Sequence, residues 1–282
     1  MPEIYGLDAY APAEIAHRVE AVGVAKARLP LVQTLMLGLL AGAFIGLGAL
    51  FSTIVVSDAS VGYAAARIGS GLCFSLGLFL VVVAGAELFT GNNLLAMAAA
   101  AGKIRPFELA RNWVLVGLAN FAGAAGLALI VYLSGHWEMN GGAVGQAYLK
   151  IAAHKAALDP WRAFHLGVLC NVLVCLAVWM AMAGRTVVDK FIAVLMPVSA
   201  FVAAGFEHSV ANMYYFPLAL LLKRAGVPLP AGADAITVGA MFGNLGPVIA
   251  GNLIGGSVLV GLVYWGIYLR LPSVDSNKNV TK

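Results

Sequence analysis

The stretch GFEHSVANM, Gly205 to Met213, gathers a glutamate, a histidine, a serine and an asparagine between the apolar runs FIAVLMPVSAFVAA and YYFPLALLL. His208 is the one histidine in the middle of an apolar run. His165 stands near the start of another, and His17, His136 and His154 lie outside them. An ionisable side chain at membrane depth is a functional candidate by default, because placing it there is costly. Its imidazole can donate a hydrogen bond, or a proton, to an anion. Glu207 and His208 invite an acid–base reading, but neighbours on a helix point about 100° apart. No nucleophile–base set, metal-ligand cluster or cofactor fingerprint accompanies them. Enzymatic chemistry is therefore disfavoured, and neither cofactor nor metal is expected. A receptor or scaffold would need a soluble domain to relay a signal, and the chain offers none.

The elements that must position His208 are membrane helices. Hydrophobic residues make up 61% of the 282 residues and charged ones 11%, with a mean hydropathy of +0.91; a soluble domain carries about a quarter charged residues. Stretches long enough to cross about 30 Å of hydrocarbon fall near 31–56, 68–99, 108–134, 162–183, 191–222 and 236–269. Residues 1–30 lack a cleavable signal and read as a cytoplasmic amphipathic segment at the membrane surface. Residues 31–270 form the six-helix transmembrane domain, and 271–282 a polar cytoplasmic tail. With both termini inside, eleven lysines and arginines fall on the inner side and six on the outer, as the positive-inside rule requires. The net charge of +4 calls for no nucleic acid. Cys73, Cys170 and Cys175 all lie in apolar runs and read as small buried hydrophobes.

The second and fifth segments are longer than a crossing needs, and they resemble each other. AGAELFTGN (Ala84–Asn92) aligns with AGFEHSVAN (Ala204–Asn212) at a constant offset, matching Glu87 with Glu207 and Asn92 with Asn212. The third and sixth segments agree at another offset, matching Asn112 with Asn244, Asn120 with Asn252 and Gly123 with Gly255. LGLL (Leu37–Leu40) matches LGVL (Leu166–Leu169) in the first and fourth. The chain is thus an inverted repeat of three segments plus three, an odd number per half, so the halves run in opposite directions. The polar patches predict broken helices in segments two and five. Irregular backbone at that depth survives only where protein or a water-filled cavity satisfies it. Glu87 and Glu207 are placed to accept hydrogen bonds from amides freed at the breaks, and the half-helix N-termini are placed to favour an anion.

GAELFTGN and GFEHSVANM, together with GVAKA, NVLVCLAVWMAMAGR, VVDKF and GNLIGG…YWGIYLR, resemble the formate/nitrite transporter family from about residue 10 to 270. The resemblance is nearest to its formate channel branch. It implies an all-α, aquaporin-like fold and a homopentamer with a pore in each subunit. It also implies passage of formate, or of nitrite, hydrosulfide or lactate, with protons involved, across the bacterial inner membrane. Aquaporins themselves are disfavoured, since neither break carries Asn-Pro-Ala.

The resemblance places His208 at the pore centre, Thr90 opposite it and Asn171 in the same chamber, with an amide able to donate to a carboxylate. It sets Lys155 in the outer vestibule to attract anions. Leu78 and Leu88 are implied as the cytoplasmic constriction, and Phe74, Val174 and Phe201 as the outer one. Glu87, Asn92, Glu207 and Asn212 are read as bracing the breaks. An anion stripped of water in an apolar constriction costs many kcal/mol, and a central histidine lowers that cost by hydrogen bonding or by helping the substrate pass as its neutral acid.

Overall fold

The computed structural model describes residues 8–271; the first seven residues and the tail beyond Leu271 lie outside the described residues. Helix α1 covers Pro12–Ala27 and α2 Leu31–Ser57. Helix α3, Tyr63–Leu80, widens into a π turn, Val81–Gly85. After a break, a 3-10 turn, Gly91–Leu95, leads into the short α4, Ala96–Ala100. Helix α5 covers Pro106–Leu133. The second half repeats this order with α6 (Ala143–Ala156), α7 (Pro160–Ala183), α8 (Val187–Ala204), a break, α9 (Ser209–Arg224) and α10 (Val238–Leu253). The last helix continues in wider turns to Arg270. Among the described residues six runs are long and apolar enough to span a membrane, and the second and fifth are broken as the repeat predicts.

Local chemistry sets these boundaries. Proline opens α1, α5 and α7, where its missing N–H has no intrahelical partner to lose. Thr186 and Thr237 cap α8 and α10 by accepting from Asp189 and Ala240 N–H. The two breaks end alike. Gly85 and Gly205 take φ of +87° and +78°, a backbone that side-chain-bearing residues rarely adopt. Past each glycine, Ala86 N–H donates to Val81 O and Phe206 N–H to Phe201 O, both at 3.0 Å. These bonds close the helix ends in a Schellman-like turn.

Within each half the outer helices meet through glycine. A Cβ on Gly123 of α5 would lie 2.0 Å from Leu39 O of α2, and one on Gly255 2.2 Å from Val168 O of α7. Backbones approach this closely in membranes only where side chains are absent. Gly123→Ala and Gly255→Ala are each expected to force the helices apart and cost about 1–3 kcal/mol. The check is the apparent melting temperature of the detergent-purified protein; unchanged melting in both variants would disprove the tight contact. The halves interlock through their half-helices. Helix α9 packs on α2 and α5, while the Gly91–Leu95 turn packs on the wide turns that end α10.

Two segments differ from the sequence expectation. The stretch read as a loop before the fourth span contains α6, with Val144, Ala147, Tyr148, Ala152 and Lys155 all buried. Those positions recur at helical spacing, but 14 residues are too few to cross the hydrocarbon. Helix α1, with 16 residues, is also too short and buries Ile15, Ala16, Val19, Glu20 and Gly23 against the bundle. Each half is therefore a short helix followed by three spans, a longer repeat than the three segments visible in the sequence.

Candidate functional site

The two breaks are held by the same set of bonds. At the first, Asn92 Nδ2 donates to Glu87 Oε2 (2.7 Å) and Asn112 Oδ1 (3.0 Å), and Lys26 Nζ pairs with Glu87 Oε1 (2.9 Å). At the second, Asn212 Nδ2 donates to Glu207 Oε2 (2.7 Å) and Asn244 Oδ1 (2.7 Å), and Lys155 Nζ pairs with Glu207 Oε1 (2.8 Å). Asn112 and Asn244 each donate onward to the backbone carbonyl of that lysine, Lys26 or Lys155. All four carboxylate and amide residues at the breaks are buried. A carboxylate there is tolerable only with a cation and amide donors around it.

The backbone amides freed at the breaks are not satisfied by these carboxylates, contrary to the sequence expectation. Glu87 N–H donates to Leu37 O and Glu207 N–H to Leu166 O, both at 3.2 Å. Asn120 Oδ1 accepts from Phe89 N–H (2.8 Å), and Asn252 Oδ1 from Ser209 N–H (3.0 Å). Their Nδ2 groups donate to Gly38 and Glu87 carbonyls in one half and to Gly167 and Glu207 carbonyls in the other. The N-terminus of α9 is likewise engaged, since Ala211 N–H donates to His208 Nδ1 at 3.1 Å. These capped amides are not free to bind an anion.

Between the breaks, Thr90 Oγ1 lies 3.0 Å from His208 Nε2. His208 Nδ1 accepts from a backbone N–H, so it carries no proton of its own. The neutral ring must therefore hold its hydrogen on Nε2. That Nε2–H donates to Thr90 Oγ1, which leaves the threonine hydroxyl hydrogen available to a third group. Phe201 stacks on the imidazole at 5.8 Å and 14°, and Phe74 meets the edges of both rings. Thr90, His208, Phe74 and Phe201 are all buried.

A cavity opens toward each end of the bundle. The one on the α6 side, about 300 Å³, reaches Phe74, Phe201, His208 and Lys155. The one on the α1 side, about 440 Å³, reaches Leu78, Leu88, Glu87 and Asn92. Phe74 and Leu78 are one turn apart on α3, so the barrier between the mouths is about 6 Å thick along that helix. Val174 of α7 is buried, as Phe74 and Phe201 are. The Asn171 amide, expected to donate to a carboxylate, is directed at Thr90 O (3.2 Å), Asn93 Oδ1 (2.8 Å) and Asn252 O (2.7 Å). Only its Oδ1, an acceptor, lacks a partner. Lys155 is 9% exposed and ion-paired, a brace that also faces the mouth rather than a solvated loop charge.

Sequence reasoning missed Lys26. Its signal was present, because Lys26 and Lys155 stand at the offset that relates LGLL to LGVL. Asn120 and Asn252 were visible as repeated asparagines, but their role in closing the breaks was not.

Comparison with known proteins agrees with this arrangement. The family model described as formate/nitrite transporter matches residues 13–266. The chain is 40% identical over 273 residues to the formate channel FocA of Escherichia coli (strain K12), covering 93% of this chain and 96% of that protein. Among solved structures it is similar to a pentameric formate channel with formate bound, with a TM-score of 0.77, 38% identity, and coverage of 85% of this chain and 98% of that one. It is also similar to an FNT family ion channel, with a TM-score of 0.80, 30% identity, and coverage of 90% and 98%.

Proposed function

The chain belongs to the formate/nitrite transporter family, and on that premise we propose that it conducts formate across a bacterial inner membrane through one pore per subunit of a homopentamer. The balance of basic residues supports a cytoplasmic position for both termini, with α1 at the inner mouth and α6 at the outer. The observation that carries the reading is the Thr90–His208 hydrogen bond, sealed by Phe74 and Phe201 on one side and Leu78 and Leu88 on the other.

Lys155 and Lys26 each face a mouth, and Glu207 and Glu87 hold them there as ion pairs. At the barrier the anion meets the Thr90 hydroxyl, which is polarised by the His208 Nε2–H behind it. One neutral hydroxyl donor does not offset the desolvation of a full charge, so the substrate crosses with a proton. Supplying that proton from Nε2 would require His208 Nδ1 to take one up and surrender its cap on Ala211. A proton arriving with the substrate needs no such rearrangement. His208 therefore acts as a fixed neutral donor that orients the acid.

Uptake by proteoliposomes holding the purified protein tests this. Labelled formate should enter at a rate that rises as pH falls. Robust nitrite or hydrosulfide flux without formate flux would reassign the substrate, and no flux of any of the three would overturn the proposal.

A further inference from the structure

The bracing networks are symmetric, but the mouths they face are not. On the α1 side, the charged residues lining the cavity among the described residues are Lys26 and Glu87, which pair with each other. On the α6 side, Arg67, Lys150 and Lys155 stand against the single carboxylate of Glu207, with the His154 imidazole beside them. Glu207 neutralises Lys155, leaving two positive charges in excess. The excess comes from positions at which the halves differ. The repeat offsets relate Arg67 to Val187 and Lys150 to Ala21.

Arg67 is held in place. Its Nε donates to Ala203 O (2.9 Å) and its Nη2 to Val202 O (2.8 Å), carbonyls in the last turn of α8. The guanidinium is thus fixed at the cavity wall by carbonyl bonds that leave its charge uncompensated. Among the described residues neither Arg67 nor Lys150 has a carboxylate partner. Lys150 is exposed, so its ammonium can swing toward a ligand.

From this asymmetry we propose that the α6-side mouth is a docking site for tetrahedral oxyanions of charge two, such as sulfate or hydrogen phosphate, which lodge there and block the channel from that face alone. The proposal rests on the transport reading above. Coulomb attraction doubles with ligand charge, and the cavity, at about 300 Å³, admits an ion larger than formate. Beyond it, Phe74, Phe201 and His208 close around a path that such a dianion cannot take without shedding far more hydration energy than a monovalent acid. A dianion therefore binds the vestibule more strongly than formate does and goes no further. The α1-side mouth, with no excess charge, holds no such ion.

The test uses proteoliposomes holding the full-length protein in a single orientation, with labelled formate uptake measured while sulfate replaces chloride on one side at constant ionic strength. Millimolar sulfate on the side facing α6 should reduce the uptake several-fold, and the same sulfate opposite should leave it unchanged. Arg67→Gln with Lys150→Gln should raise the half-blocking concentration about tenfold or more, since both uncompensated charges are removed. Lys150→Gln alone touches no bond of the fold and should raise it about threefold, which keeps the test open if the double variant misassembles. Absence of formate uptake by the unmodified protein would overturn the transport reading itself. Formate uptake that sulfate leaves unaltered, blocks equally from both faces, or blocks equally in the variants would overturn the docking site.

Discussion

Glu207→Ala is expected to destabilise the protein by about 3–5 kcal/mol, the cost of leaving one member of a buried ion pair without its partner. Its carboxylate accepts from Lys155 through Oε1 and from Asn212 and Asn244 through Oε2. Removing it strands a lysine whose side chain is 11% exposed. Glu87→Ala removes the equivalent carboxylate, but Lys26 is 27% exposed and also donates to Asn92 Oδ1 at 3.0 Å. Water and that amide can compensate it, so the Glu87 variant should lose clearly less. Restoring neutrality with Lys155→Ala in the Glu207→Ala background should recover part of the loss. Unfolding of the detergent-solubilised variants distinguishes these outcomes. Equal losses at Glu87 and Glu207, or a double variant worse than the single, would show that the buried charge is not what the network stabilises.

The contrast between those two glutamates also marks what a sequence can and cannot reveal here. Both breaks were legible because evolution wrote them twice: a glycine needing positive φ, a glutamate and an asparagine at fixed spacing, inside segments too long for one crossing. What braces them was not. Lys26 lies in a helix with the pattern of an interfacial anchor, and nothing local says that its ammonium turns inward to Glu87. The same holds for α6, whose 14 residues fall short of a span and follow a glycine-rich turn. Apolar positions are the hardest to place. Phe74 and Val174 are both buried single hydrophobes on membrane helices, and only the crossing of α3, α7 and α8 decides what each one faces. The freed amides went to Asn120 and Asn252 rather than to the carboxylates, because glutamates already committed to lysines have no lone pair aimed at the backbone.

His208→Asn is expected to keep the fold and most of the pH dependence of flux, whereas His208→Phe should lower formate flux about 10- to 100-fold. Asparagine is among the best N-cap residues, and its carbonyl oxygen can replace Nδ1 as the acceptor for Ala211 N–H. Its amide can replace Nε2–H as the donor to Thr90. It cannot take up a proton near neutral pH. If His208 serves as a fixed neutral donor, the flux of this variant still rises with acidity, because the titrating species is the substrate. Phenylalanine supplies neither function. The lost cap costs about 0.5–2 kcal/mol, and the buried Thr90 hydroxyl is left without its donor. A buried hydroxyl left without that partner costs about 1–3 kcal/mol in the barrier. Both variants should purify as the same oligomer. A flat pH profile in the asparagine variant, with flux otherwise intact, would show that the imidazole itself titrates during transport and that the α9 cap opens in every cycle.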